Sequence, residues 1–532
     1  MWRGFKGWRA RGNGNRMGPP AGARRTIGLA PIGSGNVYDM ARLSCEPGRS
    51  RRAVMLTIPI DWSSEWTQIL IVAAYVLAAS VVTSHALLEK SDVRAALGWI
   101  ALAWLSPGFG AALYYFFGIN RVTRRALQFG KPESQPGGMT GPAAHPAVSA
   151  NIAALAAISQ HVTGSPLIAG NVISALHGGD EAYPAMLAAI GNARHSIALA
   201  SYIFRSDAVG RAFVDALIAA GRRGVAVRVL LDSIGSGYVR PATLRHLKAG
   251  QVPVARFLHT WVPWRMPVLN MRNHKKLLII DGAIGFTGGL NIGAENSGRL
   301  TSKNYVDDVH VRVEGPVTKQ LMDAFARDWS FTTGEILDQD VWWPTPRSAG
   351  PVFARGIHSG PDADLYKLET ILGAALAQAQ TRVRIVTPYF LPDQRLQFAI
   401  TQARLRGVSV DILIPEQSDY AFMDWAMRAH LRFFWDTPPN VYASPLPFDH
   451  AKLMTVDGEW CLFGSSNWDT RSLRLNFEFN LECYDSALTA DIDALIDRKI
   501  GRSRRLDRDE LASKPKWMRL RDAAVRLLLP YL

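Results

Sequence analysis

Cysteine is scarce in this chain of 532 residues, which has only three. Cys45, Cys461 and Cys483 lack the paired spacing of metal sites, and three cysteines do not make a disulfide framework. We expect free thiols in a reducing compartment and assign them no chemistry. The sequence also lacks the Gly-x-x-x-x-Gly-Lys-Ser/Thr loop that holds nucleotide phosphates, so it predicts no nucleotide energy source.

Acidic residues are in deficit, because 45 Asp and Glu face 60 Lys and Arg for a net charge of +15. Residues 1–54 hold eleven basic and two acidic residues, which accounts for +9. The mildly basic remainder suits an anionic surface or substrate and does not require nucleic acid. No apolar run follows the early arginines closely enough for a targeting peptide. Residues 1–54 are predicted to be a basic, disordered extension. An early start codon, with Met55 as the true start, would explain its presence.

Two long apolar runs precede any globular pattern. Residues 69–88 are almost wholly apolar, and residues 95–119 repeat this with Ser106 and Pro107 as weak interruptions. Each is long enough to cross a hydrocarbon core of ~30 Å, which takes about 20 helical residues. A buried hairpin in a soluble core is the alternative, and two adjacent runs of this length argue against it. Residues 55–125 are therefore predicted to be a transmembrane hairpin.

The charges that flank these runs predict the orientation of the chain. The connector 89–94 is balanced in charge, whereas arginines lie outside both outer ends. The positive-inside rule then places both ends, and all that follows, in the cytoplasm. Residues 126–165, rich at first in Pro and Gly, are predicted to be a linker.

The remaining chain alternates helical and strand-like patterns, and does so twice. The predicted elements are helix 183–193, strand 196–204, helix 209–222, strand 225–231, helix 365–379, strand 383–390, helix 395–406 and strand 408–414. Such alternation favours parallel sheets covered by helices, so an α/β fold of two similar lobes is expected. Residues 517–528 have apolar residues at helical spacing among arginines, which predicts a C-terminal amphipathic helix that packs on the body or lies on a membrane.

Two stretches, 274–291 and 450–467, repeat one pattern of reactive residues. In each, a histidine is followed by Lys at +2, Asp at +7, Gly at +8 and Asn at +17. The repeated residues are His274, Lys276, Asp281, Gly282 and Asn291, and His450, Lys452, Asp457, Gly458 and Asn467. One His-x-Lys is common on strand surfaces and one Asp-Gly is usually a turn, but two copies do not arise by chance. A duplicated half-site is predicted.

The residue types of this half-site suit a phosphodiester. His and Lys two apart on a strand face the same way, and Asp-Gly is a strong hairpin turn. Lys and Asn donate to phosphate oxygens, while one imidazole attacks phosphorus and the other protonates the leaving oxygen. No carboxylate or His/Cys cluster suggests a metal, so metal-free chemistry is expected, with the lysines and asparagines stabilising the transition state.

These stretches match the paired His-x-Lys-x4-Asp motifs of the phospholipase D superfamily, and the chain resembles bacterial cardiolipin synthases that have an N-terminal membrane hairpin. The resemblance spans about 69–532. The residues that carry it are 272–276, 286–293, 308–316, 359–362, 387–392 and 469–478.

The resemblance implies two α/β lobes, first 166–355 and second 356–532, with the active site between them. It implies that His274, Lys276, Asp281, His450, Lys452 and Asp457 are catalytic and that one histidine forms a phosphohistidine. Precedent leans towards the first motif as nucleophile, but the symmetry of the motifs leaves this open. Asn291 and Asn467 are expected to bind the phosphate. Asp308 and Glu478 resemble the residues that orient the histidines, with surface ion pairing as the alternative.

The implied reaction transfers a phosphatidyl group from one phosphatidylglycerol to another, giving cardiolipin and glycerol without a cofactor or metal. The implied place is the bacterial cytoplasmic membrane, with the lobes facing the cytoplasm and with phosphatidylglycerol and cardiolipin, not nucleic acid, as partners. Three alternatives remain: a membrane-bound phospholipase that uses water, a nuclease of the same superfamily, and a scaffold without activity. The oligomeric state is not predicted.

Overall fold

A computed structural model describes most of the chain. The described residues are 65–90, 93–106, 108–118, 146–239, 241–260, 271–300, 305–361, 364–434, 437–507, 509 and 513–528. The predicted extension 1–54 and the first part of the predicted linker, 126–145, lie outside them. Contacts divide the chain into Met1–Val72 and Ala73–Leu532, and both predicted lobes belong to the second unit.

One described helix, α1 (Glu65–Glu89), is long and apolar enough to cross a membrane by its length and composition. It contains the first predicted span. The second predicted span, 95–119, is wrong as a single helix, because α2 (Val93–Leu105) ends early and is followed by α3 (Phe109–Leu113) and a π-helical turn (Tyr114–Gly118). Pro107 has no N–H to donate and Gly108 has a φ of 72°, so the interruption ends the helix. The 13 residues of α2 reach about 20 Å.

The first lobe alternates helices and strands as predicted. Its elements are β1 (Ile168–His177), α5 (Gly178–Asn192), β2 (Ser196–Ser201), α6 (Ala208–Arg222), β3 (Ala226–Asp232), α7 (Ala242–Ala249), β4 (Val254–Phe257), β5 (Arg272–Asn273), β6 (Leu277–Ile280), β7 (Ile284–Gly288), β8 (Val306–Asp307), β9 (Val309–Glu314) and α8 (Thr318–Thr333). Helix α4 (Ala150–Thr163) precedes them.

The second lobe repeats this succession. Its elements are β10 (Val352–Ser359), α9 (Lys367–Gln378), β11 (Arg382–Val386), β12 (Phe390–Leu391), α10 (Gln394–Leu405), β13 (Ser409–Pro415), α11 (Ala421–His430), β14 (Asn440–Ser444), β15 (Phe448–Asp449), β16 (Leu453–Val456), β17 (Trp460–Gly464), β18 (Trp468–Asp469), α12 (Thr470–Arg474), β19 (Asn476–Tyr484), α13 (Ser486–Gly501), β20 (Arg504–Arg505) and α14 (Lys516–Leu528).

Sixteen strands form one sheet across both lobes, in the order β4-β3-β2-β6-β7-β9-β1-β10-β19-β17-β16-β11-β13-β14-β20, with β5 beside β19. Strands β1 and β10 pair antiparallel where the lobes join. Outward from this junction, β9, β7, β6, β2, β3 and β4 correspond to β19, β17, β16, β11, β13 and β14. The predicted fold of two similar α/β lobes is confirmed.

Three hydrophobic clusters cover the two faces of this sheet. One packs α5 and α6 on the first lobe, and another packs α9 and α10 on the second. The third lies between them and takes residues from both lobes, with Leu321 and Phe325 of α8 and Ile492 and Ile496 of α13. Since each lobe supplies part of this shared core, the core fixes one lobe against the other.

Two predicted boundaries change. Helix α4 lies inside the predicted linker 126–165, yet its Ile152 and Leu155 are wholly buried against the second lobe. Strand β10 pairs with β19 along its length, so the second lobe begins near residue 352 and not at 356. Both corrections arise from long-range packing, which local composition does not reveal.

Candidate active site

Each His-x-Lys pair directly precedes the first strand of a hairpin. In the first lobe, β6 pairs with β7, and in the second, β16 pairs with β17. The connecting turns have positive φ at both central residues: 50° and 57° at Asp281 and Gly282, and 52° and 71° at Asp457 and Gly458. This backbone suits the twist of a hairpin and confirms the predicted Asp-Gly turns.

Short parallel strand pairs bring each histidine to the opposite lobe. Strand β5 pairs with β19, and β15 pairs with β8. The backbone N–H of His274 donates to Phe477 O at 2.9 Å, and that of His450 donates to Asp307 O at 2.7 Å. Each histidine therefore lies beside the residue that precedes the other lobe's acidic side chain.

The two histidines pair crosswise with the two predicted carboxylates. His274 Nδ1 lies 2.9 Å from Glu478 Oε2, and His450 Nδ1 lies 2.7 Å from Asp308 Oδ2. Both carboxylates are fully buried. Because Nδ1 is held by the carboxylate, Nε2 is the ring nitrogen available to a substrate. The sequence singled out all four residues but did not show which acid serves which histidine.

The two lysines are buried beside the histidines. Lys276 Nζ donates to His274 O at 2.6 Å, and Lys452 Nζ donates to His450 O and lies 3.0 Å from His450 Nδ1. Burial lowers the pKa of Lys276 to about 7 and the pKa of Lys452 to about 8. The phosphate predicted to bind here would supply negative charge that favours the protonated form of both lysines.

The charges of the two halves act on each other. Burial lowers the pKa of His274, and Lys276 and Lys452 add to this against the opposing Glu478. Burial and Lys452 lower the pKa of His450 to about 4. Lys452 thus acts on the first lobe's histidine, which brings both half-sites into one site.

The orienting carboxylates are held in their charged form. Burial by itself raises the pKa of Asp308, but Lys452 and His450 bring it below its usual value. Burial likewise opposes ionisation of Glu478, but His274 and Lys276 lower its pKa. Buried carboxylates of this kind stabilise an imidazolium when one forms.

The predicted phosphate-binding asparagines follow the second strand of each hairpin. Asn291 Oδ1 accepts from Ile203 N at 3.3 Å. In the part of the chain that the structure describes, Oδ1 of the buried Asn467 has no hydrogen-bond partner. Asn467 follows Ser465 and Ser466, and Ser465 Oγ donates to Glu478, so this turn adjoins the paired histidine and carboxylate.

The structure places Asp281 and Asp457, for which the resemblance implied a catalytic role, at the hairpin turns. Each lies at the far end of its four-residue strand, about 16 Å along the chain from the lysine. Asp281 accepts from the backbone N–H groups of 194, 195 and 196 at 2.7–2.9 Å. Asp457 accepts from those of 380, 381 and 382 at 2.8–2.9 Å. Through these hydrogen bonds, Asp281 holds its hairpin to the start of β2 and Asp457 holds its hairpin to the start of β11.

Tyr202 belongs to the site and was not predicted there. Its ring centroid lies 4.9 Å from that of His274, and Lys276 Nζ lies 5.4 Å from the same ring. Tyr202 and Tyr389 follow corresponding strands of the two lobes, and Tyr389 donates to Asp419. The repetition of these tyrosines in similar sequence was the available signal.

Metal binding gains no support from the side chains. Within the described ranges, no group of three or more His, Cys, Asp or Glu side chains could hold a metal ion. The two described cysteines, Cys461 and Cys483, are buried and free. The expectation of metal-free chemistry stays a prediction, with Lys276 and Lys452 as cations that act on both histidines.

The chain is similar to known cardiolipin synthases. Residues 186–329 and 372–500, more than half of the chain, match a family model described as the cardiolipin synthase, PLD-like domain. The cardiolipin synthase of Oceanobacillus iheyensis is 30% identical over 488 residues, which are 88% of this chain and 99% of that protein. The major cardiolipin synthase ClsA of Bacillus subtilis is 29% identical over 84% of this chain and 95% of its own.

A solved structure shares the fold. The phosphatidylserine synthase of Haemophilus influenzae superposes with a TM-score of 0.57 at 16% identity, over 71% of this chain and all of that protein. At this identity the likeness concerns the fold. It agrees with the duplicated lobes described above.

Proposed function

The chain belongs to the cardiolipin synthase family with phospholipase D-like domains, and we propose that it transfers a phosphatidyl group from one phosphatidylglycerol to another. The products are cardiolipin and glycerol. The observation that carries the proposal is the crosswise pairing of His274 with Glu478 and of His450 with Asp308. Two oriented imidazoles at one site are what a two-step displacement at phosphorus requires.

In the first step, Nε2 of one histidine attacks the phosphorus of phosphatidylglycerol. The N–P bond forms as the bond from phosphorus to the glycerol oxygen breaks, and the other histidine, as imidazolium, gives that oxygen its proton. Binding of the anionic phosphate raises the pKa of this second histidine, which burial depresses in the empty site.

In the second step, the free hydroxyl of another phosphatidylglycerol replaces the histidine. The second imidazole, now neutral, takes the hydroxyl proton as the O–P bond forms and the N–P bond breaks. Lys276 and Lys452 stabilise the charge on the phosphoryl oxygens, and Asn291 and Asn467 donate to them. One phosphodiester replaces another, so no cofactor is needed.

The reaction takes place at a membrane, because its phospholipid substrates stay in a bilayer. The apolar α1 supports attachment to a membrane. We propose the bacterial cytoplasmic membrane, with the two lobes on the cytoplasmic side. The predicted multi-pass arrangement rests on the sequence alone, since α2 is short for a span.

The test is product analysis of the purified full chain with phosphatidylglycerol vesicles. We expect equal amounts of cardiolipin and glycerol from the wild type, and neither from His274→Ala or His450→Ala. The exposed His246 provides a matched control, since His246→Ala should keep full activity. Phosphatidic acid without cardiolipin would show a phospholipase instead.

The nucleophile is identified by trapping. A phosphatidyl donor with a p-nitrophenol leaving group needs no acid, so the variant that retains the nucleophile should accumulate phosphohistidine. Mass spectrometry of His274→Ala and His450→Ala with this donor locates the label. Labelling of neither variant would contradict the covalent mechanism.

A further inference from the structure

The C-terminal helix α14 packs Val525 on the core of the second lobe and leaves large apolar residues on its outer side. Asp522 is 3% exposed, and Lys514 and Arg521 of the same C-terminal segment pair with it at 3.1 and 2.7 Å. Trp517 is 62% exposed and Leu520 is 74% exposed. At 100° per residue, both lie on the side of the helix opposite Asp522.

Ala524 completes this outer stripe, which we call the α14 face (Trp517, Leu520 and Ala524). Lys516 and Arg521 border it on either side of the helix. Residues 513–526 contain five basic residues and one acidic residue. An apolar stripe with a tryptophan and bordering cations is the pattern of a helix that lies in the interface of an anionic membrane.

Helix α14 runs along α11, and the N-terminal half of α14 lies towards the end of α11 that begins near the active site. The Arg521 guanidinium lies 3.9 Å from the ring centroid of Trp425 and 5.8 Å from that of Trp517. Trp425 is five residues from Tyr420, which precedes α11 and is half exposed. Next to Tyr420, Asp419 acts on the charge of Lys452.

We propose that the α14 face inserts into the headgroup region of an anionic phospholipid bilayer and holds the mouth of the active site against it. The proposal rests on the proposed function, because only a lipid substrate makes this contact useful. The positive charge of α14 favours an anionic lipid over a second copy of this chain as its partner, since two such basic helices repel each other.

A spin label measures the contact without reference to activity. We would attach a nitroxide at Leu520→Cys in the full chain with Cys45→Ser, in proteoliposomes that contain phosphatidylglycerol, with Ile336→Cys as the control. Ile336 is 68% exposed on the first lobe, close to the exposure of Leu520. We expect the label at 520 to collide more with oxygen than with a water-soluble nickel chelate, and the label at 336 to do the reverse.

A label at 520 that collides chiefly with the nickel chelate would overturn the proposal. Dipolar broadening between labels at 520 on two molecules would overturn it in favour of self-association. If the wild type made no cardiolipin, the proposed function would fail while these collision measurements still decided the membrane contact. The two failures are therefore distinguishable.

A charge on the α14 face should affect only reactions at a bilayer. We expect Leu520→Glu to lower cardiolipin formation on vesicles about tenfold, because the change removes apolar burial and adds repulsion from anionic lipid. Its activity on dissolved short-chain phosphatidylglycerol should equal that of the wild type, and Ile336→Glu should match the wild type on both. Equal activity of Leu520→Glu and wild type on vesicles would contradict the proposal.

Discussion

Glu478 of the second lobe lies 2.9 Å from Nδ1 of His274 in the first. The reverse pair, His450 and Asp308, repeats the relation at 2.7 Å. Each lobe therefore supplies one histidine and the carboxylate for the other lobe's histidine. Neither lobe contains a complete pair, so the shared core that joins the lobes is a condition of the chemistry.

We predict that Glu478→Gln lowers kcat by about 100-fold, within the range of a lost general acid–base function. The amide keeps the shape of the side chain but does not stabilise an imidazolium. Asp308→Asn should have a similar effect through His450. The measurement is cardiolipin formation, with the half-exposed Glu314→Gln as a control. Activity of Glu478→Gln equal to that of the control would contradict this role.

The local parts of the site could be predicted from the sequence. The motif of His274, Lys276 and the turn at Asp281 is formed by residues close together in the chain. Its second copy made the pattern specific. The crosswise pairing could not be predicted, because Glu478 is 204 residues from His274 and either acid could have served either histidine. Tyr202 was missed because an aromatic residue after a strand is common.

The fold, like the site, was predictable where it depends on local sequence and not where it depends on tertiary pairing. Alternation of strands and helices predicted two α/β lobes, and local periodicity is sufficient for that. The continuation of one sheet through β1 and β10 depends on tertiary pairing. The second predicted span is not one continuous helix for a local reason, since Pro107 and Gly108 interrupt its apolar run and the prediction gave this interruption too little weight.

The low pKa of Lys276 predicts a loss of activity in alkaline solution. Lys276 must be charged to stabilise the phosphoryl oxygens, and its pKa in the empty site is about 7. As pH rises through 7 the group loses its proton, so kcat/KM should fall, followed by the effect of Lys452 near 8. The profile of kcat should fall at a higher pH, because bound phosphate favours the charged form.

Lys276→Arg provides the matched variant for this pH profile. A guanidinium stays protonated throughout, so the fall near pH 7 should disappear and the fall attributed to Lys452 should remain. The lower absolute rate expected from the changed shape does not affect this comparison. Identical kcat/KM profiles for Lys276→Arg and wild type would show that Lys276 is not the titrating group.

Asp281 is predicted to affect stability and not the chemical step. Asp281→Ala removes acceptors from three backbone N–H groups, and we expect the free energy of unfolding to fall by about 2 kcal/mol. Asp281→Asn should cost less, since asparagine tolerates the positive φ of 50° found here. Denaturant unfolding measures this, with kcat per folded molecule beside it. A rate loss like that of His274→Ala at unchanged stability would instead support the catalytic role implied by the resemblance.

Lys499 holds together the strand pair that delivers Asp308 to His450. Its Nζ lies 2.9 Å from Asp307 Oδ2 and 2.7 Å from Asp449 Oδ2, and the carboxylates come from the paired strands β8 and β15. The lysine is buried, and although burial opposes its charge, Asp449 and Asp307 raise its pKa. Lys499→Met would leave the buried Asp449 unpaired, at a cost of about 3–5 kcal/mol.

The double variant tests this explanation of the Lys499 effect. Asp307 also pairs with Arg502 at 2.7 Å, so Lys499→Met with Asp449→Asn removes the unpaired charge and should recover much of the lost stability. Arg502→Met, at a partly exposed position, should cost less than about 1 kcal/mol. Denaturant unfolding in detergent measures all three variants. The double variant differs from Lys499→Met only in the charge at position 449. If it is no more stable than Lys499→Met, the lost stability comes from packing of the lysine side chain and not from the buried carboxylate.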